Sequence, residues 1–299
     1  MTEALLLLPD FLLILCGFAL CRYTPLNRSL WEGVERLVYY VLFPALLFSA
    51  ILRNPLNLAT DLPLIGAALA IMLTGVALAL ALAHWPGVPA AQHASGAQVA
   101  FRFNSYVALA LADRLAGPSG LAWMALIISV AVPVANVAAV WPLARQGGRG
   151  LGAELLRNPL IVATVSGLVC NAIGLTLPEV AQTTLQRLGS AALALGLMAV
   201  GAGLRLGALG DAPRLAVALL SIRHVVLPAF CLFGVLAWVP LPAAQQTILM
   251  AFASMPTASS AYVLAVRMGG EAGFVAGLVT VSTLLAMLGL PIALWLVAG

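Results

Sequence analysis

The chain has 299 residues, 63% of them hydrophobic and 8% charged, and its mean hydropathy is +1.08. A soluble domain of this length carries roughly three times that share of charge, so the composition excludes one and indicates a polytopic membrane protein with little extramembrane mass. The net charge of +4 comes from scattered arginines with no lysine, which excludes a basic nucleic-acid surface and lysine Schiff-base or P-loop chemistry.

A window of about 19 residues predicts about ten spans. They lie near 4–21, 34–52, 62–83, 95–112, 119–143, 156–175, 180–204, 214–238, 244–267 and 273–297. The first run starts Met-Thr-Glu, without positive charge, and is long, so it reads as a retained helix rather than a signal peptide. Within it Asp10 follows Pro9, where it is expected to cap a helix near the outer interface. The longest polar joint, Arg145-Gln-Gly-Gly-Arg-Gly-Leu-Gly, divides the chain into halves 1–148 and 149–299.

The halves resemble each other. Asp61-Leu-Pro63 opens the third span and Asp211-Ala-Pro213 the eighth. Trp85 with Pro89-Ala-Ala-Gln92 precedes the fourth; Trp238 with Pro242-Ala-Ala-Gln245 precedes the ninth. Leu111-Ala-Asp-Arg-Leu-Ala-Gly117-Pro-Ser-Gly120 matches Leu264-Ala-Val-Arg-Met-Gly-Gly270-Glu-Ala-Gly273 at Leu, Ala, Arg and both Gly, at the separation of 153 residues that relates Trp85 to Trp238. An odd number of spans per repeat inverts the second copy, the construction of secondary transporters. The expected fold is therefore an all-α polytopic membrane protein of about ten transmembrane helices in two inverted five-helix repeats.

Arginine counting sets the orientation. Arg22, Arg28, Arg145, Arg149, Arg157, Arg205, Arg214 and Arg267 fall in joints one, five, seven and nine, against Arg53, Arg114 and Arg187 in joints two, four and six. The first set is expected to be cytoplasmic, with both termini outside. The third joint, holding only His84 and His93, does not discriminate.

Pro256 lies mid-span and removes a backbone donor, so the ninth helix should break there; broken backbone at that depth must line protein or a cavity. Polar residues within spans mark candidate sites. Arg102, Asn104 and Ser105 lie in the fourth, Asn136 three residues after Pro133 in the fifth, Arg223 and His224 in the eighth, and Thr257, Ser259 and Ser260 in the ninth. Asn104 is near the equivalent of Pro256, where its amide can satisfy freed backbone or a ligand. Arg102 reads as a substrate residue or as a structural partner of a carbonyl or Asp113. Arg223 reads as structural, snorkelling to the cytoplasmic surface. Ser259 and Ser260 are weak signals, because span hydroxyls usually bond their own helix. Gly189, Gly196, Gly203 and Gly210, with Gly207, form a flat face on the seventh span. It serves helix packing or, alternatively, a sliding or subunit interface in a homodimer. The four cysteines, Cys16, Cys21, Cys170 and Cys231, read as buried thiols without a Cys-x-x-Cys pair. No hydrolase, metalloenzyme or Walker motif occurs, so neither an enzyme nor a metal site is expected.

Phe101-Arg-Phe-Asn-Ser-Tyr, Leu-Ala-x-Arg-x-x-Gly, Pro133-x-x-Asn136, Asn158-Pro-Leu, Met255-Pro256, Val281-Ser-Thr-Leu-Leu and Gly289-Leu-Pro together resemble the auxin efflux carrier family, within the superfamily that includes bile-acid/sodium symporters. The resemblance spans essentially the whole chain. It implies broken fourth and ninth helices that cross at the substrate site, with a transport domain (helices 3–5 and 8–10) moving against a scaffold (helices 1, 2, 6 and 7). It also implies organic-anion substrates such as dicarboxylates. The fourth helix departs from the family in lacking a proline at Asn104-Ser105, and no long cytoplasmic loop is present.

The expected function is a secondary carrier for a small organic anion in the inner membrane, with the lipid bilayer as its surroundings and no cofactor. Substrate is expected at Asn104, Ser105, Pro256, Thr257, Ser260, Asn136 and Arg102. The alternative is a sodium-coupled symporter, its cation held by neutral side-chain and backbone oxygens; a receptor without flux would gain nothing from broken spans. No pair of carboxylates lies deep in adjacent spans, which argues against proton exchange in favour of membrane potential, substrate gradient or such a cation as the driving force.

Overall fold

The structure is a computed structural model that describes residues 3–53, 58–147, 159–204, 212–258 and 260–298. Arg149, Arg157, Asn158, Arg205, Gly207, Gly210, Asp211 and Ser259 lie outside the described residues. The described chain is all-helical, without strands. In order it forms α1 (Glu3–Tyr23), α2 (Arg28–Leu37), α3 (Phe43–Arg53), α4 (Leu58–Ala81), α5 (Ala90–Gly96, continued by a 3₁₀ turn Ala97–Ala100) and α6 (Ser105–Gly147). These are followed by α7 (Pro159–Ala172), α8 (Glu179–Ala202), α9 (Pro213–Val235), α10 (Ala243–Ala253), α11 (Ser260–Arg267) and α12 (Ala272–Ala298).

Five helical runs among the described residues are long and apolar enough to cross a bilayer: Asp61–His84, Ala90–Ala139, Glu179–Ala202, Pro213–Val235 and Ala272–Val297. The second is not one straight helix. It is interrupted at 101–104, and its α6 part turns at Ala116 and Gly117, where φ is +56°. That left-handed conformation suits glycine, and Pro118 then starts the next segment with a preset φ. The predicted ninth span instead divides into α10 and α11, each too short to cross alone.

Prolines also shape helices that stay continuous. A π-helical turn covers Ile222–Val226 within α9, just ahead of Pro228. Pro228 has no N–H for the His224 carbonyl, and its ring crowds that turn, so the helix widens there. The π-helical turn Val38–Leu42 precedes Pro44 in the same way.

The chain divides into two compact units. One comprises residues 1–62, 106–129 and 152–203. Its Trp31 packs on Ala199 and Ala202 and donates from Nε1 to the Leu26 carbonyl at 3.0 Å. Asn171 Nδ2 caps the end of α3 through the Ile51 and Leu52 carbonyls. Gly189 and Gly196 lie under Leu46 and Phe43 of the α3 region, which is ordinary close packing. The tightest approaches, however, are Gly17 under the Met198 backbone and Gly201 under the Ile14 carbonyl, outside the predicted seven-residue face. Asp10 does not cap α1, because the helix already runs from Glu3.

The other unit comprises residues 63–105, 130–151 and 204–299. Its core holds Leu64, Ile71, Met72, Val99, Phe252, Phe274 and Leu278. His93, expected in a joint, is instead a buried residue of α5, 6% exposed, with Nε2 2.8 Å from the Ala79 carbonyl. The helix begins at Ala90 because Pro89 at its N-cap fixes an extended entry, so the window placed the start too late.

Candidate functional site

Within this second unit the chain leaves helical geometry twice in the middle of apolar sequence, at 101–104 and at 254–258. The helices entering these interruptions correspond residue for residue. α5 begins at Ala90 and α10 at Ala243; the first stops with its 3₁₀ turn at Ala100, the second at Ala253, so starts and stops are both 153 residues apart. The interruptions meet. Asn104 N–H donates to the Pro256 carbonyl at 2.8 Å, and the Thr257 hydroxyl donates to the Val99 carbonyl at 2.6 Å. Gln98 Nε2 donates to its own helix at Ser95 O and across to Ala261 O, at 2.9 and 3.2 Å. Phe103 and Phe252 pack edge to face with centroids 4.9 Å apart, closing the apolar side of the junction.

The second break has a clear cause. In a continuous helix the Phe252 carbonyl would accept from residue 256, which is proline and has no N–H. Arg223 answers that loss: Nη2 donates to the Phe252 carbonyl at 3.2 Å and Nε to the Met255 carbonyl at 2.6 Å. The side chain is 2% exposed, so Arg223 does not snorkel to the surface as expected; the widened turn of α9 carries it inward, onto the end of α10. Beside it, His224 Nε2 lies 2.8 Å from Ser282 Oγ on α12, and that oxygen also accepts from Thr257 N–H at 2.9 Å. The first break has no proline and is held by its partners alone.

Beyond the junction, Arg102 is half-buried and reaches Gln98 Oε1 at 3.3 Å and Ser260 Oγ at 3.2 Å. A guanidinium thus stands at the first residue of α11. A helix start carries partial positive charge, so α11 starting at Ser260, with the Arg102 guanidinium bonded to that residue, forms an electropositive locus. That arrangement can hold a carboxylate but offers no nucleophile with a base, and the described residues contain no cluster of three metal-ligating side chains.

Residues 145–295 match the family described as membrane transport protein. The chain belongs to this family. It is the family of the auxin efflux carrier resemblance, and it makes the protein a transporter rather than an enzyme. No curated protein matches the chain.

In this transporter Asn104 is paired with Pro256 and Arg102 with Ser260, Thr257 bonds Val99 rather than any of these four, and Ser105 is next to Asn104 in sequence. Asn104 is 3% exposed and Thr257 0%, whereas Ser260 is exposed. Asn136 is half-buried on α6 and, among the described residues, makes no hydrogen bond to either interruption. Sequence reasoning did not single out Ser95, Gln98 or Ser282. Ser95 Oγ accepts from Glu271 N–H at 2.9 Å, Gln98 bridges the breaks, and Ser282 joins Thr257 to His224. Their signal was present: isolated polar side chains in otherwise apolar runs, which must find partners inside the protein.

Proposed function

We propose that this transporter is a secondary carrier for a small organic anion, a mono- or dicarboxylate, working by alternating access of the elevator type in the inner membrane. In this reading the chain has about ten spans in two inverted five-helix repeats, 1–148 and 149–299, with both termini outside. Helices 3–5 and 8–10 form the transport domain, helices 1, 2, 6 and 7 the scaffold, and the wider relationship is to bile-acid/sodium symporters. The matched starts and stops of α5 and α10 support the repeat; the two compact units follow the proposed bodies except at residues 106–129, which group with 1–62 and 152–203.

The observation that carries the proposal is the pairing of the two interruptions through Asn104 N–H and Pro256 O, with Arg102 at the start of α11. A carboxylate there meets the N-terminus of α11 and a guanidinium without leaving its charge unpaired in the apolar interior. Asn104, Ser105, Thr257 and Ser260 supply polar contacts, with Asn136 completing the substrate set. The test is uptake into proteoliposomes of a panel of mono- and dicarboxylates that includes malonate and malate. Saturable uptake of at least one is expected. Asn104→Ala should weaken it about ten- to a hundredfold in affinity, the equivalent of roughly 1–3 kcal/mol for an unpaired polar group. Arg102→Gln should weaken anions but not their neutral amides. Absence of flux for every carboxylate, or unchanged affinity in both variants on folded protein, overturns the reading.

A further inference from the structure

Arg223 is the largest fully buried side chain in the described structure, and in the proposed span pattern it lies deep in the membrane. A cation there is costly unless it is matched. No carboxylate matches it: the ion pairs among the described residues are those of Arg28 with Glu32 and Glu35, in the other unit. Its acceptors are the Phe252 and Met255 carbonyls, at the negative end of α10. Carbonyls freed where a transporter helix is broken are the groups that coordinate coupling ions such as Na⁺. Here Pro256 removes the donor four residues on from the Phe252 carbonyl, which keeps the Met255 N–H at 3.4 Å. The Met255 carbonyl lies beyond the end of α10, and a guanidinium fills the position. The next carbonyl along, that of Pro256, is the one that holds Asn104.

We propose that Arg223 is a tethered cation, filling at the α10 break the place where a carrier of this construction would bind a coupling cation, so that the anion crosses without a co-transported cation. The inference rests on the carrier function proposed above and deepens it. A mobile cation at these carbonyls would bind with the substrate and leave with it, tying flux to its own gradient. A side chain cannot leave. It supplies a permanent positive charge next to the junction, and an arriving carboxylate supplies the missing counter-charge. Net transport then follows the substrate gradient and the membrane potential, and the sodium-coupled alternative loses its site.

The test uses melting temperature of the full-length purified protein in NaCl against choline chloride at equal ionic strength, with guanidinium chloride at low millimolar concentration as a second probe. The parent protein should melt at the same temperature in both salts. Arg223→Gln removes the charge and exposes the carbonyls; its melting temperature should fall in choline and recover with rising Na⁺ or guanidinium, as mass action on a vacated cation site requires. Arg223→Lys keeps a tethered charge and should remain indifferent to the salt. A purely structural arginine predicts a destabilised Gln variant with no specific recovery, and that result overturns the proposal. So does a parent protein stabilised by Na⁺ over choline, or a Lys variant that gains Na⁺ dependence; both remain readable if the Gln variant does not fold. None of these measurements requires an organic ligand. Failure of every carboxylate in the uptake panel would therefore count against the carrier function, while the salt responses report on Arg223 independently.

Discussion

Thr257→Val is the cleanest probe of the junction between the two breaks. Valine nearly matches threonine in shape and β-branching but has no hydroxyl. At 0% exposure Thr257 Oγ1 donates to the Val99 carbonyl at 2.6 Å, and that carbonyl belongs to the 3₁₀ turn where α5 ends. The substitution leaves a buried acceptor without this donor, in surroundings where water cannot readily replace it. The expected loss is roughly 1–3 kcal/mol, a factor of about 5 to 150 in the folding equilibrium. At about 2–4 °C per kcal/mol for a chain of this order of size, the melting temperature should fall by roughly 2–12 °C. Thr257→Ser keeps the hydroxyl and should lose far less. Thermal unfolding of both purified variants in one detergent decides the matter. A Val variant that melts with the parent would refute the reasoning, since the first break would then not depend on this bond.

Pro256→Ala restores an N–H that can reach the Phe252 carbonyl; it should favour a continuous helix and reduce uptake more than melting temperature, and equal losses in both would count against the break as a functional device. Gly201→Ala places a methyl on the Ile14 carbonyl backbone and should destabilise by about 1–3 kcal/mol, whereas Gly33→Ala in α2, with open space around it, should be neutral or gain about 0.5–1 kcal/mol; thermal melts of the pair check both signs. Cysteine introduced beside Gly299 should react with an impermeant periplasmic thiol reagent while one at Gln146 is spared, and the reverse pattern would invert the topology.

What was legible in the sequence follows from how local each cause is. Pro256 announces its own break, because a missing N–H acts on the same chain within one turn. Gly117-Pro118 likewise marks the turn inside α6, through a left-handed glycine and a proline suited to a helix start. The break at 101–104 has no such residue and was readable only by analogy with its partner, because Thr257, Pro256 and Ala261 hold it from about 155 residues away. Arg223 was recognised as an intramembrane charge but given the wrong destination; length along a span does not reveal an inward-facing π turn. Gly189 and Gly196 of the expected glycine face pack closely on the α3 region, yet the tightest approach on α8, Gly201 against α1, lies outside that face, and even spacing does not reveal it. Close approach requires only one small residue where two backbones cross, and that place depends on both helices.

The hydrogen bonds at the junction bear on how such a transporter moves. Each interruption leaves backbone groups that its own helix does not fully satisfy, and the other interruption or a neighbouring helix satisfies them: Val99 O by Thr257, Pro256 O by Asn104, and Phe252 O and Met255 O by Arg223, with Gln98 adding a bond across to Ala261 O. Pulling the breaks apart within the membrane would strand several of these groups at once, at about 1–3 kcal/mol each. Straightening either helix by itself has the same cost, because the partner's acceptors would then lose their donors. The two broken helices are therefore expected to remain locked together through a transport cycle. Access would alternate not by opening the junction but by carrying it, with α9 and α12 attached through Arg223 and Ser282, as one body. Such a joint movement is what the elevator form proposed above requires, and under that proposal the junction keeps the same electropositive character in both states.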